Sequence, residues 1–499
     1  MFMATKINYS QPFDAGTLGS ERYRIPALYT LNDGRVMVAA DARYSHGSDS
    51  PNNIDTVVAV SADGQSEWQY AVVNHFDDYA DGVTDKDSAS FIDPAIAQSA
   101  DGRIFLLTDV FPSQGGYLQA KKGTGFASVN GKKRMLLSDR SHDEDLADFG
   151  FYIGDFDGEL APVCVRSDNT KTEFAVDREY RLYKNGEPIY CEQKGASGVQ
   201  VQQNVFYSAA AFHAYRTVYL WLRTSDDNGK TWSAPQILSD QIKSDAESFL
   251  GLCPGRGTVF MHNGKQRILF CVYNNKGLFF DPVFENACAI YSDDNGITWK
   301  RSKKIAISHG LTKTSESQVV VLESNGRQVL RMYARNNSNF IAFADSTDGG
   351  ETWTPFCADM ALEGTRNCMV SFLATDRKID GRQVILSSAG GSVTARADGV
   401  LRVGLVQEDF SVRWLPAYHV NKGFYAYSCL TQRRDGSFAL LYEDLPDHLQ
   451  YMIFTLSEDG KISEINGNNI AFVADSLPVG KKLQHALKKT YVSLFTKTK

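Results

Sequence analysis

The octapeptide Ser292-Asp293-Asp294-Asn295-Gly296-Ile297-Thr298-Trp299 is one copy of a repeat that organises this chain. It recurs as Ser225-Asp226-Asp227-Asn228-Gly229-Lys230-Thr231-Trp232 and as Ser346-Thr347-Asp348-Gly349-Gly350-Glu351-Thr352-Trp353, giving the pattern S-x-D-x-G-x-T-W. A degenerate fourth copy, residues 61–68, has its glycine one place early. A fixed phrase repeated every few dozen residues marks a repeat architecture. The chemistry of the phrase is that of a turn. Ser and Asp side chains bond nearby backbone N–H groups, Gly permits positive φ, and Trp plugs the turn onto a core. The phrase holds no obvious nucleophile, so it reads as scaffold.

A second repeat lies outside the first. It is a D-G or N-G turn followed by an apolar strand, a hairpin signal. Its glycines are Gly34, Gly102, Gly264, Gly326, Gly381 and Gly436, spaced 68, 162, 62, 55 and 55 residues apart. The step of 162 is one ordinary period plus about a hundred extra residues. Six strand-rich units of about 60 residues predict an all-β fold, a six-bladed β-propeller with an inserted small β-rich subdomain. The expected boundaries are residues 1–112 for the first part of the propeller, 113–219 for the insertion and 220–475 for the remainder. Residues 476–499 form a basic tail in which Leu483, Leu487, Tyr491 and Leu494 sit near helical spacing.

Composition removes several classes of function. Hydrophobic content of 43% and charged content of 22% are those of a soluble globular protein. A net charge of −7 gives nucleic acid no electrostatic footprint, although a few arginines can still focus potential in a cleft. No apolar run reaches 18 residues, so no membrane span is expected. The first residues lack an apolar signal core, which fits either a cytoplasmic protein or an exported one whose signal lies outside this sequence. The eight cysteines are scattered without a C-x-x-C or Cys/His cluster, so no metal site is expected.

Aligning the units on their turn glycine exposes ionisable residues in strand positions. About ten residues before it stand Arg24, Asp93, Glu316 and Tyr427; seven to nine after it stand Arg43, Asp109, Tyr273, Arg335 and Glu443. Polar groups recurring there are costly unless they face a wet, functional cavity. Converging arginines call for an anion, and their planar donors fit a carboxylate. A tyrosine near a glutamate suits nucleophilic chemistry. Asp49, on the loop Gly47-Ser48-Asp49-Ser50-Pro51, is a candidate mobile proton donor. The set points to a glycosidase acting on an anionic sugar. The alternative of another class is a non-catalytic propeller that binds glycans or proteins, which has no need of an acid, a nucleophile and a base together.

Tyr23-Arg24-Ile25-Pro26 resembles the arginine motif of the bacterial sialidases (exo-α-sialidases, neuraminidases), and the octapeptides resemble that family's Asp boxes. The resemblance runs from about Arg24 to Glu443 apart from the insertion. It implies that Arg24, Arg335 and Arg396 bind the sialic acid carboxylate. It implies Asp49 as acid/base, Tyr427 as nucleophile with Tyr425 as the competing choice, and Glu316 as the group that activates the tyrosine. Arg43 and Asp93 match residues on the O4 side of the sugar, and Glu443 matches the carboxylate that holds the first arginine. Sialidases are the established tyrosine-nucleophile exception among glycosidases. The resemblance further implies no cofactor, sialylated glycans of glycoproteins or glycolipids as partners, a monomer, and a secreted or cell-surface location.

The insertion, with residues 49–55 and 109–116, is similar to the pneumococcal-type group, which includes intramolecular trans-sialidases yielding 2,7-anhydro-sialic acid and enzymes releasing the 2,3-didehydro sugar. The anhydro-forming members carry a tryptophan shortly after the nucleophile. The corresponding stretch here, Asp444-Leu445-Pro446-Asp447-His448-Leu449-Gln450, has none.

Overall fold

A computed structural model describes residues 11–76, 88–140, 145–194, 200–275, 285–308, 310–364 and 367–464. The basic tail at 476–499 lies outside the described residues. The chain is all-β, with one four-residue helix at Ser239–Ile242 among the described residues.

Among the described residues six antiparallel meanders follow one another. The first runs Tyr23–Thr30, Val36–Arg43, Ile54–Ser61 and Trp68–Asn74; the second runs Ser90–Gln98, Ile104–Phe111, Tyr219–Ser225 and Gln236–Ile237. A single pairing of Ile54 with Ser90 joins these two into one sheet. The third runs Phe249–Leu252, Lys265–Asn275, Glu285–Ser292 and Lys300–Arg301, with Thr258–His262 also on its second strand. The last three begin at Thr314–Ser324, Ser371–Ile379 and Ser428–Gln432. Leading strands of neighbouring meanders lie against one another, and Tyr23–Thr30 touches both Ser90–Gln98 and Ser428–Gln432.

Both repeats fall at fixed places in this pattern. Each D-G or N-G turn opens a meander's second strand; it ends the first strand in five of them, and in the third it follows Thr258–His262. Each octapeptide joins a third strand to a fourth. In the copy at 292–299, Ser292 Oγ accepts from Gly296 N at 2.9 Å and donates to Asp294 Oδ1 at 2.8 Å. Asp294 in turn accepts from Thr298 N at 2.9 Å, and Trp299 Nε1 closes on Gly296 O at 3.1 Å. Gly296 adopts φ +87, and a Cβ there would lie 2.5 Å from the Phe105 ring of the neighbouring meander. The glycine is therefore required twice, by dihedral and by space.

Between the second and third strands of the second meander, the chain leaves to build a separate eight-stranded sheet that starts at Phe126–Val129 and ends at His213–Ala214. Its core is continuous with the meander beneath. Phe206 of the inserted stretch packs edge-on against Tyr219 and Trp221, at centroid distances of 5.4 and 5.7 Å. Truncating a fully buried aromatic of this kind costs about 3–5 kcal/mol, so the join is a structural interface. All eight cysteines are free, and seven are buried. No helix among the described residues is long and apolar enough to cross a membrane.

Candidate active site

The ionisable residues converge because three leading strands bulge. Register slips between Arg24 and Ala27, between Ile92 and Ala95, and between Thr314 and Ser317. Pro26 and Pro94 sit in the first two slips and have no N–H to lose from a ladder. The residues before them, Ile25 and Asp93, take φ +59 and +63. A positive φ at a β-branched residue is strained and must be imposed by its surroundings.

Buried carboxylates impose it. Glu443, fully buried, accepts from Ile25 N at 3.1 Å. Asp41, also fully buried, accepts from Asp93 N at 3.1 Å. Asp109 accepts from Leu252 N at 3.0 Å. Each sits seven residues after its turn glycine and reaches the leading strand of the next meander, with the last meander reaching the first. Asp41 was missed by the sequence reading, although the shared offset was the signal that could have found it. Its other oxygen accepts from Arg43 Nη2 at 2.8 Å.

Arg24 donates to both oxygens of Glu443, at 3.1 and 3.4 Å, and lies 3.6 Å from Asp49. Arg43 bonds Asp49 at 2.8 Å and the Gly47 carbonyl at 2.7 Å. Tyr427 Oη donates to Glu316 Oε1 at 2.5 Å and accepts from Arg335 Nη1 at 3.0 Å, while Arg335 also pairs with Glu316. The guanidinium of Arg24 lies 5.5 Å from the Tyr427 ring centroid, and that of Arg396 lies 5.4 Å from it. Arg396 is steadied by the Asn367 carbonyl at 3.1 Å. Three arginines thus surround one phenol. Ile25, Cys368, Met369 and Ala426 supply its apolar surroundings. The competing tyrosine points elsewhere: Tyr425 is fully buried, bonded to Ser388 and stacked on Tyr442 at 5.1 Å.

The electrostatics follow from burial. Burial, then the Glu316 charge, pushes the Tyr427 phenol well above its usual range against the opposing arginines, so it is neutral at rest. Burial also lifts Asp93 and Asp109 well above the carboxylate range. Asp49 behaves oppositely. Desolvation by the surrounding cleft raises it, although most of its own side-chain surface is open, but Arg43, Arg24 and Arg396 together hold it below the ordinary value. Its side chain is 67% exposed.

Burial raises Asp41 from the ordinary 3.8 to about 7, against the pull of Arg43. Its contribution to folding is therefore complete below the unfolded value and lost as pH rises through about 7. Asp41→Asn is expected to be less destabilising at pH 8 than at pH 5, measured by denaturant melts at both. An equal loss at the two pH values contradicts this.

The all-β repeat scaffold thus gathers a phenol, several carboxyl groups and four arginines in one place, an arrangement that can bind an anion beside a nucleophile and a base. A BNR repeat-like domain matches residues 197–440. The anhydrosialidase of the leech Macrobdella decora is 32% identical over 89% of this chain and 62% of that protein. Sialidase B of Streptococcus pneumoniae is 29% identical over 84% of this chain and 61% of its own length. Among solved structures, the intramolecular trans-sialidase of Ruminococcus gnavus, with oseltamivir carboxylate bound, superposes with a TM-score of 0.77 at 31% identity, covering 90% of this chain and 98% of that one. The chain belongs to the sialidase family. It spans about three fifths of the two curated relatives named here.

Proposed function

We propose that this protein releases terminal sialic acid from α-linked sialoglycoconjugates, with retention and with Tyr427 as nucleophile. One observation carries the reading: a neutral phenol hydrogen-bonded to a carboxylate and surrounded by three arginines. The anomeric carbon of sialic acid bears a carboxylate. Arg24, Arg335 and Arg396 bind it and fix the ring, which also stabilises the oxocarbenium-like transition state. A carboxylate nucleophile would be repelled there, whereas a neutral phenol is not. As Tyr427 Oη attacks the anomeric carbon, its proton passes to Glu316. Asp49 gives a proton to the departing glycosidic oxygen, then takes one from the acceptor that cleaves the tyrosyl intermediate. The arginines hold Asp49 ionised in the free protein, so its proton is acquired as substrate neutralises Arg24 and displaces water. Arg43 and Asp93 face the O4 side of the sugar.

The scaffold under this site is, in our reading, a six-bladed β-propeller, with residues 113–219 as the inserted subdomain. It is supported by six meanders in series and by the contact of the first leading strand with the last. The protein acts as a monomer on sialylated glycans outside the cell.

A second reading concerns the product. Two similar proteins carry the names anhydrosialidase and intramolecular trans-sialidase, which favours attack by the sugar's own O7 and release of 2,7-anhydro-sialic acid over attack by water. Mass analysis of the product from an α2,3-sialoside decides between them. Free sialic acid is one water heavier than either dehydrated product, and NMR separates the 2,7-anhydro from the 2,3-didehydro sugar. The hydrolytic reading expects the heavier mass as the first product; its absence overturns that reading and leaves the tyrosine chemistry intact.

A further inference from the structure

The loop that carries Asp49 has internal ties of its own. Asn52, fully buried, donates to the His46 carbonyl at 2.9 Å and to the Ser48 carbonyl at 2.8 Å. Ser90 Oγ holds the Asn52 carbonyl at 2.5 Å. These bonds fix the two ends of the loop. They do not reach its middle, Asp49 and Ser50.

The middle meets a turn from the inserted stretch. Gly116 is buried, and a Cβ on it would lie 2.3 Å from the Ser50 carbonyl oxygen. That oxygen belongs to the backbone, so the clash has no side chain to absorb it. The turn itself is firmly held. Gly115 N donates to the Pro112 carbonyl at 2.8 Å, and Ala120 N donates to the Gly116 carbonyl at 2.9 Å. Ser113 N reaches the Phe206 carbonyl at 2.9 Å, tying the turn to the inserted stretch. Tyr117 ties it to the third meander, through a 2.9 Å bond from Oη to Glu285 and an edge-on contact with Phe249 at 4.8 Å.

We propose that this turn is the seat of the Asp49 loop, so that the inserted stretch positions the proton donor. Gly116 occupies the contact because only a residue without a side chain lets the turn reach Ser50. The proposal rests on the reading of Asp49 as acid given above. Gly116, Tyr117 and the turn are positioning residues; they act through Ser50 on its neighbour Asp49. Asp49 lies 2.8 Å from Arg43, and a misplacement of about 1 Å at such a group can cost on the order of 10²-fold in rate.

The leaving group separates this role from a merely structural one. An aryl sialoside expels a phenolate that needs little protonation. A sugar alkoxide leaves only with a proton, so 3′-sialyllactose depends on the acid. In Gly116→Ala, kcat/KM for 3′-sialyllactose is expected to fall by about 10- to 100-fold, with the aryl substrate losing far less. The crystal structure of the variant should show the Arg43–Asp49 contact opened. Tyr117→Phe releases the turn from Glu285 without adding an atom, and should shift the ratio of the two substrates in the same direction by a smaller factor. Equal falls on both substrates, or an Asp49 unmoved beside Arg43 in the variant crystal, overturn the seat. A wild-type protein inactive on both substrates would sink the sialidase reading instead, and the crystal comparison would still decide the seat.

Discussion

Replacing Tyr427 by phenylalanine is expected to lower kcat for an aryl α-sialoside by about 10³-fold or more, as loss of a nucleophile does in enzymes that form covalent intermediates. The substitution removes one oxygen and keeps the ring, so Arg24 and Arg396 retain the face they approach at 5.5 and 5.4 Å. Glu316 loses the phenol but keeps Arg335. The three arginines proposed to bind the sugar's carboxylate are intact, so the variant should bind sialic acid about as well as the parent while failing to turn it over. That separation of binding from turnover also tests the non-catalytic class. A parent protein that binds sialic acid with no detectable turnover is a binder, and the tyrosine then makes no difference. Tyr425→Phe serves as the control, because its hydroxyl faces Ser388 inside the core. Full activity in Tyr427→Phe would remove the nucleophile assignment.

Much of this site was legible because the sequence carries its own ruler. A turn glycine in every unit places Arg24, Asp93, Glu316 and Tyr427 at one depth and Arg43, Arg335 and Glu443 at another, and the structure brings those residues together. The octapeptides measured the period although they lie away from the site. Three things were not legible. The bulges that turn Asp93 and Glu316 out of the ladder leave no periodic trace, and only the prolines after Ile25 and Asp93 hint at two of them. Asp41 is not distinguished because Arg43, two residues on along the same strand, fills the ionisable position of that unit; alternation along a strand does not say which of two buried polar residues faces a cavity and which holds the scaffold. The seat formed by Gly116 depends on contact between segments more than sixty positions apart, and glycine pairs such as Gly115-Gly116 announce a turn without saying what the turn touches.

The carboxylates seven residues after the turn glycines have a consequence for stability that is largest at Glu443. This side chain has no exposed surface, and it accepts from four donors: Nε and Nη2 of Arg24, the N–H of Ile25 in its strained conformation and, at 3.5 Å, the N–H of Tyr427. It also comes from the last meander and acts on the first, so it fastens the two ends of the repeat. Glu443→Ala would leave Arg24 with only the exposed Asp49, 3.6 Å away, as a counter-ion, in a site where 15% of the arginine side chain reaches solvent. It would also take this acceptor from the N–H groups of Ile25 and Tyr427. Removing one partner of a buried ion pair costs about 3–5 kcal/mol, and the positive φ at Ile25 loses the contact that imposes it. The expected result is a loss of stability of that size in denaturant melts. It should be accompanied by a large rise in KM for sialosides, since a freed Arg24 no longer presents its donors in a fixed plane. Glu443→Gln distinguishes charge from geometry. Its amide oxygen can still accept from Ile25 N, so folding should recover in large part, whereas the electrostatic hold on Arg24 is lost and KM stays high. A melting shift below about 1 kcal/mol in Glu443→Ala would mean that the first and last meanders are held together elsewhere, and that the carboxylate is not the fastening described here.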